Sequence, residues 1–518
     1  LNLVSYLDKG TSLGPDQPCL VEGEGEGEQT LTYAEVTRLS YRVAAALAQS
    51  GVRAGDKVAV LSGNDPIAFS CVFGISRRGA VWCPINPRNE AAENSELLEL
   101  FDCVCLIFQS AYAPMVEQIA PHLPQLAVYV CLDAETPVGP RFDTWLDTAD
   151  AGAEFDPKSV DDTVMLVGTG GTTGRPKGVQ LTDRNIETMA AITLMSYPFH
   201  GRPTFLALAP LTHAAGVLCF PVMALGGRIV IMKHPDVGEF LALLQAHRVT
   251  HTFLPPTVIY MALAHPRAQS ADFSSLQCFW YGAAPMSASR LQEAIRLFGP
   301  VMAQLFGQSE APMMISTMAP ADHLLPDGTI ATARLASAGR PSPLVTVAIM
   351  AEDGTLVPRG VRGEIVVCSS LVMAGYYKNP TATAEVSAHG WHHTGDIGYL
   401  DPDNYLFIVD RAKDMIITGG FNVYSAEVEQ ALMQHPAIHE AAVIGLPDEK
   451  WGERVTAVVQ LAEAHNAEAS EITAFVKARI GSVKTPKVIH VWPDLPRSKV
   501  GKILKAEIKS ELIRKVAE

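Results

Sequence analysis

The strongest chemical signal in this 518-residue chain is TGGTTGRPKG, residues 169–178. Glycines let successive backbone N–H groups converge on one anion, threonine hydroxyls add donors, and a lysine adds charge. That combination suits a polyphosphate. It is not a GxxxxGK[ST] loop, because Lys177 follows Pro176 and precedes Gly178. Isolated Gly-rich stretches are more often plain surface turns. Here two threonines, a lysine and flanking apolar runs at 164–167 and 179–181 argue for a binding loop.

The elements that must position this loop follow from periodicity. Thr32 and Glu35 form a capping box that opens a helix over 33–49, with Gly51 as its stop. A buried strand is expected at 57–61 and a helix at 67–77. Further short apolar strands are expected at 164–167, 204–208, 228–232, 250–254 and 277–281. Such strands separated by helices indicate an α/β fold with largely parallel sheets. The acidic run EGEGEGE, 22–28, reads as an exposed turn between two short strands. After residue 330 the pattern turns β-rich, with strands at 345–350, 363–367 and 406–410. A new unit then begins: helix 426–433, strands 441–445 and 454–461, helix 471–480, strand 488–491 and a basic terminal helix after Lys502. The fold class is therefore α/β: a large N-terminal domain of layered α/β subdomains, 1–410, plus a small mobile α+β C-terminal domain, 411–518, with the boundary at Asp410 to Lys413.

Composition sets limits. Hydrophobic residues make up 48% and charged residues 18%, as expected of a globular chain. A formal net charge of -15 disfavours nonspecific nucleic-acid binding, which needs a basic surface. The nine cysteines are scattered, and Cys103 with Cys105 is no zinc pattern, so reduced buried thiols in a cytoplasmic protein are expected. The longest apolar stretch, 216–232, is interrupted by Pro221, Gly226, Gly227 and Arg228, so no membrane-spanning helix is expected. The sequence starts at Leu1 rather than Met, which leaves a removed targeting segment open. Homo-oligomerisation is likewise open.

The Gly-Thr loop resembles the TSGTTGxPKG signature of the adenylate-forming enzymes, which include acyl- and aryl-CoA synthetases, nonribosomal adenylation domains and firefly luciferase. Further motifs of that group follow in order along essentially the whole chain. The resemblance implies that Thr169, Gly170, Gly171, Thr172, Thr173, Gly174 and Lys177 cradle the phosphates of ATP. It implies that His213, in Pro210-Leu-Thr-His213, lines the acyl pocket near Ala214, Ala215 and Gly216. A lone histidine beside apolar residues is more often a core residue. Tyr281-Gly282-Ala283-Ala284-Pro285 would pack on adenine. In Gln304-Leu-Phe-Gly-Gln-Ser-Glu310, Phe306 would stack on adenine beside Gly307, Ser309 would touch phosphate, and Glu310, with Thr172, would hold Mg2+. One carboxylate is enough for a cation that keeps most of its waters. Asp396, in Trp391-His-His-Thr-Gly-Asp396, would accept from the ribose hydroxyls, and Arg411 would reach ribose or phosphate. Lys413 occupies the hinge. Gly419 and Gly420 would let the pantetheine arm of CoA pass, and Lys502, in Pro496-Arg-Ser-Lys-Val-Gly-Lys502, would be the adenylation catalyst.

The implied reaction joins a carboxylic acid to AMP and then to CoA. Its first barrier is electrostatic, since a carboxylate attacks a phosphate. The loop amides, Thr172, Thr173, Mg2+ on Glu310 and Lys502 would lower it, with His213 a pocket residue and not a proton-transfer catalyst. Gly170 stands where the signature has Ser and Gly168 where an aromatic is usual, so one hydroxyl is missing and weaker ATP binding is expected. Ser309 keeps the hydroxyl of the usual Thr, and His392 replaces an apolar residue, a change expected to be neutral. Amino-acid activation is disfavoured because His213-Ala-Ala-Gly offers no acid for an ammonium. Loading of a carrier protein and a luciferase-type oxygenase remain alternatives. Small residues with Met313 and Met314 suit an aryl, phenylpropenoid or medium-to-long-chain fatty acid. No arginine awaits a second carboxylate.

Overall fold

The computed structural model describes residues 2–23, 25–147, 159–169, 176–211, 214–462, 465–498 and 503–517. Two large sheets organise the N-terminal part. A seven-stranded sheet contains Lys57–Leu61, Val81–Ile85 and Cys103–Phe108 in parallel. A nine-stranded sheet contains Thr204–Ala207, Arg228–Ile231, His251–Leu254, Cys278–Tyr281 and Met302–Phe306, also in parallel. These strands are mostly apolar because helices cover both of their faces. Leu3–Leu13, Tyr33–Gln49 and Pro66–Arg77 lie between the sheets, and one core joins Val58 and Trp82 of one sheet to Phe205 and Trp280 of the other. Val237–Ala246 and Ala288–Phe298 cover the far face of the nine-stranded sheet, and Ala91–Leu100 that of the seven-stranded one.

Local chemistry sets the helix starts. Thr32 accepts from Glu35 N, and the Glu35 carboxylate accepts from Thr32 N at 2.8 Å, completing the expected capping box. Asp65 caps Pro66–Arg77, with proline at the first helical position where its missing N–H costs nothing. The acidic turn lies between Pro18–Glu22 and Gln29–Thr32, which pair antiparallel.

Two features depart from a parallel α/β pattern. Thr163–Thr169 and Lys177–Thr182 pair antiparallel, so the Gly-Thr loop joins two strands of the seven-stranded sheet, as the flanking apolar runs suggested, and Lys177–Thr182 pairs on its other side with Gly375–Tyr376. Thr346–Met350, Gly363–Cys368, His392–Leu400 and Leu406–Arg411 form a separate antiparallel sheet. A further sheet begins at Ile416–Thr418 and contains the long pair Ile438–Asp448 and Gly452–Leu461, backed by Ser425–Leu432 and Ala469–Lys484. Eight of the nine cysteines are buried, and all are free; Cys368 is exposed. No helix among the described residues is long and apolar enough to cross a membrane.

Candidate active site

The hairpin stem presents Lys177 opposite Thr169. The loop residues Gly170, Gly171, Thr172, Thr173 and Gly174 lie outside the described residues, as do His213 and Lys502. What the structure shows is the stem's surroundings. A Cβ on Gly168 would come within 2.8 Å of Leu97 Cδ2, and one on Gly178 within 2.8 Å of Phe101 Cε1. Leu97 and Phe101 therefore fill the space that an aromatic at 168 would need. Lys177 Nζ sits 4.8 Å from the Tyr376 ring centroid, a cation–π distance, and Tyr376 pairs in the sheet with Val179.

Tyr376 also leads to Glu310. Its hydroxyl donates to Glu310 Oε1 at 2.7 Å, and Met373 N donates to Glu310 O at 2.8 Å. Gln308, Ser309 and Glu310 occupy a tight turn closed by reciprocal backbone bonds between Gln308 and Ala311. Close backbone approach shapes what lies before it. A Cβ on Gly282 would meet Leu305 O at 2.5 Å, and one on Gly307 would meet Met313 N at 2.3 Å. Ala283 and Met313 adopt left-handed backbone, at φ 66 and φ 63. Phe306 is half-buried at the strand end, and Ala284 follows in the same turn as Ala283. Tyr281 and Met314 are almost fully buried. The Tyr281 hydroxyl is bonded to His323 Nε2 at 2.9 Å.

From this turn the site continues into the antiparallel sheet. Gln308 Nε2 donates to Thr394 O at 2.7 Å and to Asp396 Oδ2 at 3.0 Å. Asp396 is 3% exposed, and Arg411 Nε donates to its Oδ1 at 2.7 Å from the directly opposite register position. Glu364 supports the bend before Asp396: its Oε1 accepts from Gly395 N at 3.0 Å and its Oε2 lies 2.8 Å from His393 Nδ1. Two carboxylates of different exposure, an arginine and an amide are thus linked from Glu310 to Arg411. Gln308, Glu364 and Tyr376 escaped the sequence reading. Gln308 lies inside a motif singled out there; Glu364 and Tyr376 carry no local signal.

The sequence profile described as AMP-binding enzyme matches residues 8–377, and that of the AMP-binding enzyme C-terminal domain matches 427–502. The chain belongs to the AMP-binding enzyme family. A medium/long-chain fatty-acid–CoA ligase of Mycobacterium tuberculosis is 36% identical over 496 residues, 92% of this chain and 85% of its own length. A feruloyl-CoA synthase of an Amycolatopsis species is 37% identical over 485 residues, 93% and 94% of the two chains. An amide bond synthetase of Marinactinospora thermotolerans superposes with a TM-score of 0.88 at 27% identity, over 98% of this chain and 99% of that one.

In this AMP-binding enzyme the strand Leu406–Arg411 runs directly into the C-terminal part. Asp410 accepts from Ser425 N and, at 3.0 Å, from Ser425 Oγ. Lys505 Nζ lies 2.7 Å from Glu429 Oε1 and within the field of Asp410. Burial pushes both carboxyls above their usual range, and the two carboxylates together raise Lys505. Lys413 sits in the helical turn Ala412–Asp414, where partial burial pushes its ammonium down. Gly419 and Gly420 turn the hairpin of Ile416–Thr418 and Phe421–Val423 with φ of 57 and 81. Gly419 N donates to Trp451 O at 2.7 Å, and Ile417, Phe421 and Trp451 around this turn are exposed apolar side chains.

Proposed function

We propose that the enzyme activates a carboxylic acid with Mg·ATP as an acyl-adenylate and transfers the acyl group to coenzyme A. The observation that supports this is the link Glu310–Tyr376 and Gln308–Asp396–Arg411, which holds in place one carboxylate that would serve a metal-bound triphosphate and a second that would serve a sugar diol. Adenine would lie against the backbone at Gly282, Ala283 and Ala284, with Phe306 and Gly307 on its other side. The ribose hydroxyls would donate to the Asp396 carboxylate. Thr169 to Gly174, with Lys177, would enclose the β- and γ-phosphates, and Ser309 the α-phosphate.

Among the described residues there is no group of three His, Cys, Asp or Glu able to cage a cation. A single carboxylate at Glu310, with Thr172 as a hydroxyl ligand, fits Mg2+ that arrives with the nucleotide and keeps waters. When bound, the ion neutralises phosphate charge. The protein's groups do the rest. Lys502 holds the substrate carboxylate against the α-phosphorus, and His213 orients the acyl group. A carboxylate oxygen bonds to phosphorus as the α–β bridging bond breaks and pyrophosphate leaves. The CoA sulfur, having lost its proton, then bonds to the acyl carbon as AMP departs.

Lys502 belongs to the C-terminal part and the phosphate loop to the N-terminal part, divided at 410/411. Closure positions Lys502 for the first step. Rotation about Arg411 to Lys413 presents the Gly419–Gly420 turn for the second, where Ile417, Phe421 and Trp451 offer an apolar path to the thiol arm. The acid is aryl, phenylpropenoid or medium-to-long-chain aliphatic, a reading that the feruloyl-CoA and fatty-acid–CoA relatives support.

The test is ATP–pyrophosphate exchange with ferulate, benzoate, octanoate and palmitate, followed by CoA-dependent AMP release. At least one acid should support both. Exchange without CoA consumption, but with amide formed from a supplied amine or thioester on a carrier protein, would refute the CoA step. Absence of exchange with every acid would refute the adenylation.

A further inference from the structure

The strand His392–Leu400 buries every second residue, so His392, Thr394 and Asp396 share its inner face. Thr394 Oγ donates to Ile365 O at 2.7 Å, and Asp396 is bonded by Gln308 and Arg411. His392 differs. It is 5% exposed, and among the described residues neither Nδ1 nor Nε2 has a hydrogen-bond partner. A neutral imidazole carries one donor and one acceptor, and native interiors pair nearly all such atoms. The adjacent His393 shows the ordinary outcome, with Nδ1 2.8 Å from Glu364 Oε2 and Nε2 3.1 Å from Ala388 O.

The charged and titratable groups acting on the His392 ring are Glu310, His393 and Glu364. Glu364 is already bonded to His393 and to Gly395 N. Glu310 has one oxygen engaged by Tyr376. The unpartnered ring therefore lies in the field of the carboxylate proposed for the metal. A hard cation held by a single carboxylate keeps several waters, and surrounding side chains orient them.

We propose that His392 is a positioning residue for the metal-bound triphosphate, its ring hydrogen-bonding a water ligand of the Mg2+ held at Glu310. This rests on the reading of Glu310 given above. It accounts for a buried imidazole whose two nitrogens find no partner among the described residues. The ligand-free protein bears an unsatisfied group that loading with Mg·ATP satisfies.

The test uses the full chain without acid, so that nucleotide binds and does not react. ATP affinity is measured by calorimetry across a Mg2+ series and in EDTA, for wild type, His392→Phe, His392→Leu, His392→Gln and Glu310→Gln. Phe and Leu remove both nitrogens and should leave the ligand-free melting temperature equal or higher. They should weaken binding about three- to tenfold in Mg2+, the worth of one hydrogen bond, and leave it unchanged in EDTA. Gln, which keeps a donor and an acceptor, should recover part of the loss. If Phe and Leu bind Mg·ATP like wild type while Glu310→Gln loses its Mg2+ dependence, His392 is an ordinary core histidine and this inference alone falls. If Glu310→Gln keeps the full Mg2+ dependence, the metal reading of Glu310 falls and this inference with it.

Discussion

Tyr376 joins two parts of the site: its hydroxyl donates to Glu310 Oε1 at 2.7 Å, and its ring face carries Lys177 Nζ at 4.8 Å. The phosphate hairpin and the candidate metal carboxylate are thereby held by one side chain. Tyr376→Phe keeps the ring and the Lys177 contact but frees Glu310. A hydrogen bond to a charged group is worth about 1.5–3 kcal/mol. ATP–pyrophosphate exchange should fall about ten- to a hundredfold, with a higher half-saturating Mg2+. Glu310→Gln should cost about a hundred- to a thousandfold. Unchanged Mg2+ dependence in both would contradict the assignment.

Asp396 is almost fully buried between Gln308 and Arg411. Asp396→Asn keeps the shape but turns an amide donor toward groups that themselves donate. The expected result is a lower melting temperature and at least a tenfold higher KM for ATP, with KM for the acid little changed. Arg411→Ala should also lower the melting temperature, because it leaves the Asp396 carboxylate, whose side chain is 4% exposed, without its counter-charge.

Gly168 is set by its neighbour Leu97, not by the nucleotide. Gly168→Tyr overpacks that contact and should cost about 1–3 kcal/mol of stability in a denaturant titration. Combining it with Leu97→Ala should recover a large part of the loss. Independent, additive effects of the two changes would show that they do not share the space.

Lys502→Ala should cripple adenylate formation and spare thioester formation from supplied acyl-adenylate and CoA. Rapid-quench assays of the two half-reactions separate them. Equal losses in both would end the proposed division of labour between the two faces of the C-terminal part.

Two buried histidines set an acid limit on stability. Burial pushes His251 and His323 down from 6.5 to about 4. The unfolded chain therefore takes up protons first as pH falls. Their stabilising contribution, up to about 3 kcal/mol each, is whole above about 6.5 and is lost as pH drops toward 4. His323 lies between Tyr281 Oη and Ala319 O. His323→Gln should flatten melting temperature against pH across that window; an unaltered slope would show that His323 is not one of the titrating groups.

Local signals were legible because local physics sets them. The capping box at Thr32 and Glu35 places Tyr33–Gln49, and apolar runs place the strands expected at 57–61, 204–208, 228–232, 250–254 and 277–281 to within a residue, whereas Val81–Ile85, Cys103–Phe108, Val128–Cys131 and Met302–Phe306 were not read. The hairpin around the Gly-Thr loop was less legible, since pairing direction depends on which strands meet and not on their composition. Glu364, Tyr376 and Gln308 act through partners 31, 66 and 88 positions away.

The amino-acid order alone determined the α/β class, the β-rich change after residue 330 and the set of chemical groups, because secondary structure and motif spacing are short-range properties. Only the tertiary structure decided that Glu310 answers to Tyr376, that Asp396 is held from both sides by Gln308 and Arg411, and that His392 lies buried without a partner among the described residues. Those relations arise where two sheets meet, and a linear sequence carries no measure of distance between residues that only folding brings together.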